Sequence, residues 1–358
     1  MSIKTVETIL QEMLDAVSNT YQKTEGFPTW DLLKAAALGL KKLWDKAFEV
    51  EKLLNVDNLE GTVLERFVYQ RKGLTRKAAT YAKGYITILT GDGTINKGDL
   101  FSTSGNVQFM STETKEVTAG SVVAVQAVIS GAAGNVAAET ITEMPVTLAG
   151  IAKVINMEAM EGGYEAETDN SFRKRYYEVL REPATSGNIY HYKQWAKEIS
   201  GVGEAKVFPL WQGDNTVQVI IVDSDGLVPG HDLINQVQEY IDPGQGGTGE
   251  GAAPIGAYCT VTAATPLNII VSADIILRGA AELETVRQAI AINIAAYLKE
   301  IAFKSSWVSV GKIGDVLINT EGVEDYNNLI VNGGTVRVAI PEKSVAVLSE
   351  VDVNDITE

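Results

Sequence analysis

The sequence holds one cysteine, Cys259, and two histidines, His191 and His231. A single cysteine excludes an intramolecular disulfide framework and any zinc site built on clustered cysteines. Two histidines leave little material for imidazole metal sites or for acid–base chemistry near neutral pH. Positive charge is scarce too: 30 Lys plus Arg stand against 46 Asp plus Glu, a net charge of -16. Phosphate backbones are held by basic faces, so this balance argues against a nucleic-acid partner. Between Lys206 and Arg278 there is neither Lys nor Arg, while Asp214, Asp223, Asp225, Asp232, Glu239, Asp242, Glu250 and Asp274 fall inside.

Long apolar runs are missing as well. Residues 117–138 and 251–273 are uncharged, but Gly120, Gln126, Gly131, Gly134 and Asn135 break the first. Pro254, Pro266 and Asn268 break the second. Both read as strands with turns, so no membrane partner is expected. Glu7, Glu12 and Asp15 interrupt the first residues, so no signal peptide is expected, and folding in a reducing cytoplasm follows.

What is present suffices for several cores: 358 residues, 45% hydrophobic and 21% charged, which points to two to four domains. Charge divides them. Residues 1–80 are net +1, 81–160 net -3 and 161–358 net -14. Over 1–78, Val6, Ile9, Leu10, Met13, Leu14 and Val17 carry helical spacing. Pro28 opens a second helix with Leu32, Leu33, Leu40, Leu43, Trp44, Ala47 and Phe48, and a third around Leu64, Phe67 and Val68 stops near Gly73. Residues 79–160 read as a small β-domain, with strands at Tyr85–Leu89 and Val122–Val125 and no aromatic from 111 to 163.

Residues 161–243 read as an α/β unit. A helix over 168–182 is capped by Thr168 or Asp169, a second is capped by Ser186, strands follow at 204–210 and 215–223, and a helix runs from His231 to before Pro243. Residues 244–358 read as an α+β unit. It has a Gly-rich loop, strands at 258–262 and 269–275, and an amphipathic helix from Leu283 to Ile301. A helix from Val310 to Leu317 follows, with final strands around the hairpin signal Asn332-Gly333. The expected class is therefore α+β and multidomain, with no repeat of fixed period.

Several groups of residues invite a chemical reading. Gly244-Gln245-Gly246-Gly247-Thr248-Gly249 matches a dinucleotide-binding string. A helix and Pro243 precede it, whereas phosphate binding needs a strand before and a helix after, so it reads as a connection. Asp223-Ser224-Asp225-Gly226 resembles the start of a calcium loop but lies at a strand end, where Asp and Gly form turns. A catalytic triad would need His191 or His231, and no nucleophile elbow supports one. Glu165, Glu167 and Asp169 could suggest glycosidase carboxylates, yet they crowd a helix start, where the dipole favours negative charge. Arg71-Lys72 and Arg76-Lys77 form the one basic patch, read as solvated or partner-facing. Cys259 reads as a core residue, and the five tryptophans as core or interface anchors.

The central residues carry a more specific pattern. Gly134-Asn135-Val136 and Val154-Ile155-Asn156 come first, then Gly162-Gly163-Tyr164-Glu165-Ala166-Glu167-Thr168-Asp169 and Phe172-Arg173-Lys174-Arg175. Pro183-Ala184-Thr185-Ser186-Gly187-Asn188, Tyr192, Trp195-Ala196, Gly201 to Val207 and Gly213 to Val217 follow in order. This resembles the baseplate J family of contractile phage tails, defective prophages and phage-tail-like bacteriocins. The resemblance implies a structural wedge protein in the baseplate of a virion or tail-like particle, assembled in the bacterial cytoplasm. It implies an inner ring around the spike hub, a dimer within each wedge and a second wedge protein as partner. It also implies hub and sheath-proximal neighbours, N-terminal helices in a multi-chain bundle, and neighbouring wedges joined through C-terminal regions.

On this reading the motif residues set the fold, ion pairs to Arg173 and Arg175 fix their corner, and no catalytic, cofactor-binding or metal residue is assigned. No cofactor and no enzyme activity are expected. Contraction would be triggered by domain movement about 75–82, 157–165 and 243–253. The rival readings are a tail-associated cell-wall glycosidase and a receptor-binding module. The long stretch without Lys or Arg predicts a basic neighbour or salt-sensitive contacts.

Overall fold

The computed structural model describes residues 4–182, 184–279 and 281–356. The chain forms two compact units. One comprises the chain up to Arg76 together with Thr168–Glu178; the other comprises Lys77–Glu167 and the chain from Val179 onward.

In the first unit, the Thr5 side chain accepts the Thr8 N–H and opens α1 (Val6–Ala16). Ile9, Leu10 and Leu14 share one side of α1 and pack with Ala37 of α2 (Pro28–Lys52), with Met13, Trp30 and Leu33 alongside. Pro28 sits where its missing N–H costs nothing. Over 25 residues, α2 fully buries Ala37 alone; Leu32 is 71% exposed and Leu43 65%. α3 (Gly61–Lys72) ends at Gly73 in the left-handed conformation and buries Leu64 and Val68. α4 (Asp169–Arg181), capped by the Thr168 hydroxyl on the Ser171 N–H, brings Tyr176 edge-on to Phe67 at 6.1 Å. The helical unit is thus completed by a helix from about a hundred residues downstream. Periodicity identifies such a helix but says nothing of which neighbours it packs against.

The second unit begins with a small β-domain of β1 (Lys83–Gly91), β2 (Gly93–Ile95), β3 (Leu100–Thr103), β4 (Gln108–Ser111), β5 (Lys115–Val117), β6 (Val122–Ala127), β7 (Ile141–Glu143) and β8 (Ile151–Ile155). Six strands form a nearly closed, barrel-like antiparallel sheet in the order β7-β3-β4-β6-β1-β8, and β2 pairs with β5. Alternation along β1 and β6 sends Ile86, Ile88, Val123 and Val125 inward to meet Phe101, Phe109 and Ile141.

Next come α5 (Ile189–Glu198), β9 (Val202–Pro209), β10 (Thr216–Asp223), α6 (His231–Ile241) and β11 (Tyr258–Ala263). β10 is central, antiparallel to β9 and parallel to β11. Trp195, Val237 and Ile241 from the helices pack on Val219, Ile221, Cys259 and Val261. The strand at 258–262, expected in the last unit, therefore belongs to this sheet. Parallel pairing across a crossover leaves no local mark in the sequence. The second helix is capped by Asn188, whose side chain accepts the His191 N–H, and not by Ser186, which takes a left-handed turn position.

The last part holds β12 (Thr265–Leu277), α7 (Leu283–Ile301), β13 (Trp307–Val308), α8 (Val310–Ile318), β14 (Val323–Val331), β15 (Val338–Ala339) and β16 (Ser344–Asp355). β12 is central, antiparallel to β14 and parallel to β16. Val286, Ile290, Ile294 and Leu298 form the inner stripe of α7 over Ile269, Val271 and Ile275. Asn332 and Gly333 do make a tight turn with positive φ at both, closed by the Val331–Gly334 bridge. The chain then leaves β14, because β15 pairs with β13. Ile220, Val222, Ala264, Ala302 and Val345 form a shared core linking the sheet of β10 to that of β12.

Candidate functional site

The motif residues of the barrel and its exit are spent on backbone closure. Asn156 is fully buried at the open seam between β7 and β8. Its carbonyl side-chain oxygen accepts the Ile141 N–H at 2.7 Å, and its amide donates to Ala137 O and Glu158 O, each at 2.8 Å. Its backbone oxygen accepts from Glu139 N at 2.7 Å. One side chain thus supplies the ladder bonds that the two short strands cannot supply themselves.

Asn135 does the same for the segment that leaves the barrel after β8. It donates to Gly163 O and accepts from Gly163 N, both at 2.8 Å. A Cβ on Gly163 would lie 2.5 Å from Gly131 O, so the backbone approach itself demands glycine. The Thr80 hydroxyl donates to Gly162 O at 2.6 Å and accepts from Tyr164 N at 2.9 Å. Tyr164 is buried, and burial followed by the nearby Asp223 pushes its phenol well above the usual range.

The three carboxylates expected at this corner are engaged separately. Glu165 accepts the Ala132 N–H at 2.9 Å. Glu167 accepts the Lys77 N–H at 3.1 Å, while its own N–H donates to Lys77 O at 3.0 Å. In the helical unit, Asp169 accepts the Gly61 N–H at 3.0 Å and is bound by the Arg76 guanidinium. These contacts hold its carboxyl below the ordinary range, with a weaker attraction from Arg173. Arg76 also reaches Glu65 at 2.6 Å. Arg173 donates to Val56 O and Leu59 O, and Arg175 to Thr75 O. The Asp169 ion pair is therefore made with Arg76, and Arg173 donates chiefly to carbonyls of the turn at 56–59 that precedes α3.

A second network lies behind α5. Glu204 on β9 accepts from Lys197 at 3.2 and 3.3 Å, and Lys193 approaches it at 3.6 Å. Burial alone would raise the Glu204 carboxyl, but the two lysines and the Ala205 N–H bring it below the ordinary range. The sequence reading did not single out this set. Its signal is present: Lys193 and Lys197 lie four apart on one helix face, opposite a carboxylate in a strand.

The remaining candidates have structural partners. The Asp223 carboxylate accepts the Asp225 and Leu227 N–H groups, and burial raises its pKa; Asp225 pairs with Lys299 at 3.2 Å. His191 accepts the Gly187 N–H at its Nδ1 and stacks on Trp195 with centroids 3.9 Å apart, while His231 is exposed at the first position of α6. Cys259 is buried, and burial pushes its thiol up to about 12. Among the described residues no group of three or more His, Cys, Asp or Glu converges as a metal ion needs, and no helix is long and apolar enough to cross a membrane.

The Gly-rich loop is not slack. Buried Asp242 accepts the N–H groups of Gly247 and Cys259, each at 2.9 Å. Gln238 donates to Cys259 O and accepts from Val261 N, so α6 satisfies the outer edge of β11. A Cβ on Gly251 would lie 2.5 Å from Ile241 O. Gly251 serves close packing, while nothing lies within 4 Å of a Cβ built at Gly244.

Residues 81–163 match the Baseplate J-like protein barrel domain, 184–263 the Baseplate J-like central domain and 269–354 the Baseplate J-like protein C-terminal domain. The chain is 32% identical over 351 residues to the uncharacterized protein YqbT of Bacillus subtilis (strain 168), covering 98% of this chain and 97% of that one. It is 30% identical over 350 residues to the phage-like element PBSX protein XkdT of the same strain, with 98% and 97% covered. It is 30% identical over 175 residues to baseplate protein gp47 of Escherichia phage Mu, with 47% and 49% covered. A chain in the cryo-EM structure of the anti-feeding prophage (AFP) baseplate, 6-fold symmetrised, aligns over 98% of this chain and 100% of that chain, at 12% identity and a TM-score of 0.38.

Proposed function

The chain belongs to the Baseplate J-like family and is a structural component of a phage or phage-like baseplate, and on that premise we propose that it is a wedge subunit. The observation that carries this reading is the order of three baseplate domains along 81–354, joined by motif residues whose polar groups are consumed in backbone closure. Such a site holds backbone geometry. The wedge subunit would be non-enzymatic, paired with itself within the wedge and with a second wedge protein. It would form an inner ring around the spike hub and touch sheath-proximal proteins.

Two features support a division of labour. α2 leaves Leu32, Leu43 and neighbouring apolar residues uncovered, which suits a helical bundle shared with other chains. The C-terminal sheet leaves one face without a helix, which suits contact with another protein of the baseplate. The trigger for sheath contraction would act as rigid-body displacement where the chain passes between its two units, at 76–77, 167–168 and 178–179. The test is imaging of assembled particles with this subunit tagged. Density in the baseplate ring supports the wedge role; density confined to the tail tube or fibre tips would sink it.

A further inference from the structure

The face of the C-terminal sheet that carries no helix has a definite chemistry. Along β12, Ile270, Ser272, Asp274 and Ile276 alternate with the buried Ile269, Val271, Ala273 and Ile275 and so point away from α7. Register brings Glu350, Asp352 and Asn354 of β16 beside Ile270, Ser272 and Asp274. On the other side, Ile330, Asn327 and Asp325 of β14 lie beside Ser272, Asp274 and Ile276. Ile270 is 44% exposed and Ile330 36%, and Asp325, Glu350 and Asp352 are exposed.

This face therefore combines an isoleucine centre with four carboxylates: Asp274, Asp325, Glu350 and Asp352. No Lys or Arg lies among these paired residues, and exposed Arg278 follows only past the end of β12. Arg287 adds an attraction to Asp352, but it is held by Glu284 at 2.6 Å. Asp274 is fixed in place by the amides of Asn328 at 2.7 Å and Asn354 at 3.1 Å, which hold its carboxyl below the ordinary range.

We propose that this face docks a different polypeptide, one that presents Lys or Arg side chains around an apolar patch. The inference rests on the baseplate reading and names the chemistry of one partner within it. Two copies of this chain apposed through the same face would bring eight carboxylates together without a counter-charge, which disfavours a symmetric self-contact here. A basic partner neutralises the carboxylates, while its apolar patch covers Ile270 and Ile330.

The test uses particles from cells producing the full chain, treated with a carbodiimide that joins carboxylates directly to lysine amines. The expected products link Asp325, Glu350 or Asp352 to a lysine of another polypeptide. A chain carrying E350K/D352K should enter particles at about a tenth of the wild-type level or less while melting at an unchanged temperature. The reversal E116K/E143K, on exposed positions of the barrel strands β5 and β7, should enter normally. Links only to lysines of a second copy, such as Lys72, would overturn the proposal, and so would normal entry of E350K/D352K. Absence of the wild-type chain from particles would instead overturn the baseplate reading, and this inference with it.

Discussion

Asn156 shows how one residue can replace a stretch of β-ladder. Asn156→Ala leaves the Ile141 N–H and two carbonyls unpaired in a buried seam, and a loss of about 3 kcal/mol in denaturant unfolding is expected. Asn156→Asp should cost more at pH 7, because an anion would face the Ala137 and Glu158 carbonyl oxygens. A variant unfolding like wild type would remove Asn156 from the closure of the barrel. Glu204 gives a pH test. Its folded pKa lies below the ordinary value of 4.5, so its stabilisation is present above that value and is lost as pH falls through the folded pKa. Glu204→Gln should cost about 3 kcal/mol at pH 7, because the buried Lys197 loses the Glu204 carboxylate. The gap between wild type and variant should narrow below pH 4.5; a constant gap down to pH 3 would contradict the ion network. At this scale the sequence marked Asn156 and Asp169 but neither Lys193 nor Lys197, and it did not show to whom they bond. Asp169 meets Arg76 from 93 positions away, a distance no local pattern encodes.

Helices were legible because their burial follows a 3.6-residue period, visible in Ile9, Leu10 and Leu14 or in Val286, Ile290 and Ile294. The short strands β2, β5 and β7 were not, since three residues are too few to display alternation. α2 makes a prediction of its own. Its outer leucines contribute little to the isolated chain, so Leu32→Glu with Leu43→Glu should shift stability by under about 0.5 kcal/mol. The same pair should abolish recovery of the chain in assembled particles; normal recovery would detach α2 from any shared bundle. The loop after α6 makes another. Asp242→Ala frees Gly247 and Cys259, so residues 244–257 should become cleavable by protease, whereas the wild-type loop resists. Equal cleavage of both proteins would mean that Asp242 does not hold the loop.

Over the whole molecule, the sheets of β10 and β12 share the small core around Ile220, Ala264 and Val345. The texture change expected near residue 80 falls close to where the chain passes from the first unit to the second, after Arg76. The chain passes between its two units after Arg76, after Glu167 and again after Glu178, inside α4. Lys77 and Glu167 exchange hydrogen bonds, so the ends of the excursion sit side by side. A linker of about four residues in place of 77–167 should therefore leave a folded helical unit. Residues 4–76 so joined to 168–181 should melt more cooperatively than 4–76 alone; identical melts would refute it.

The same interleaving has a consequence for synthesis. The barrel is a guest inserted into a helical host, and a ribosome delivers the host in two instalments. About a hundred residues separate Arg76 from Glu178, roughly 5–20 s of translation. Through that interval α1, α2 and α3 wait with Phe67 lacking Tyr176 and Arg76 lacking Asp169. An early stop inside the barrel would strand an apolar helical stub, and a slow stretch of codons there would lengthen its exposure to chaperones.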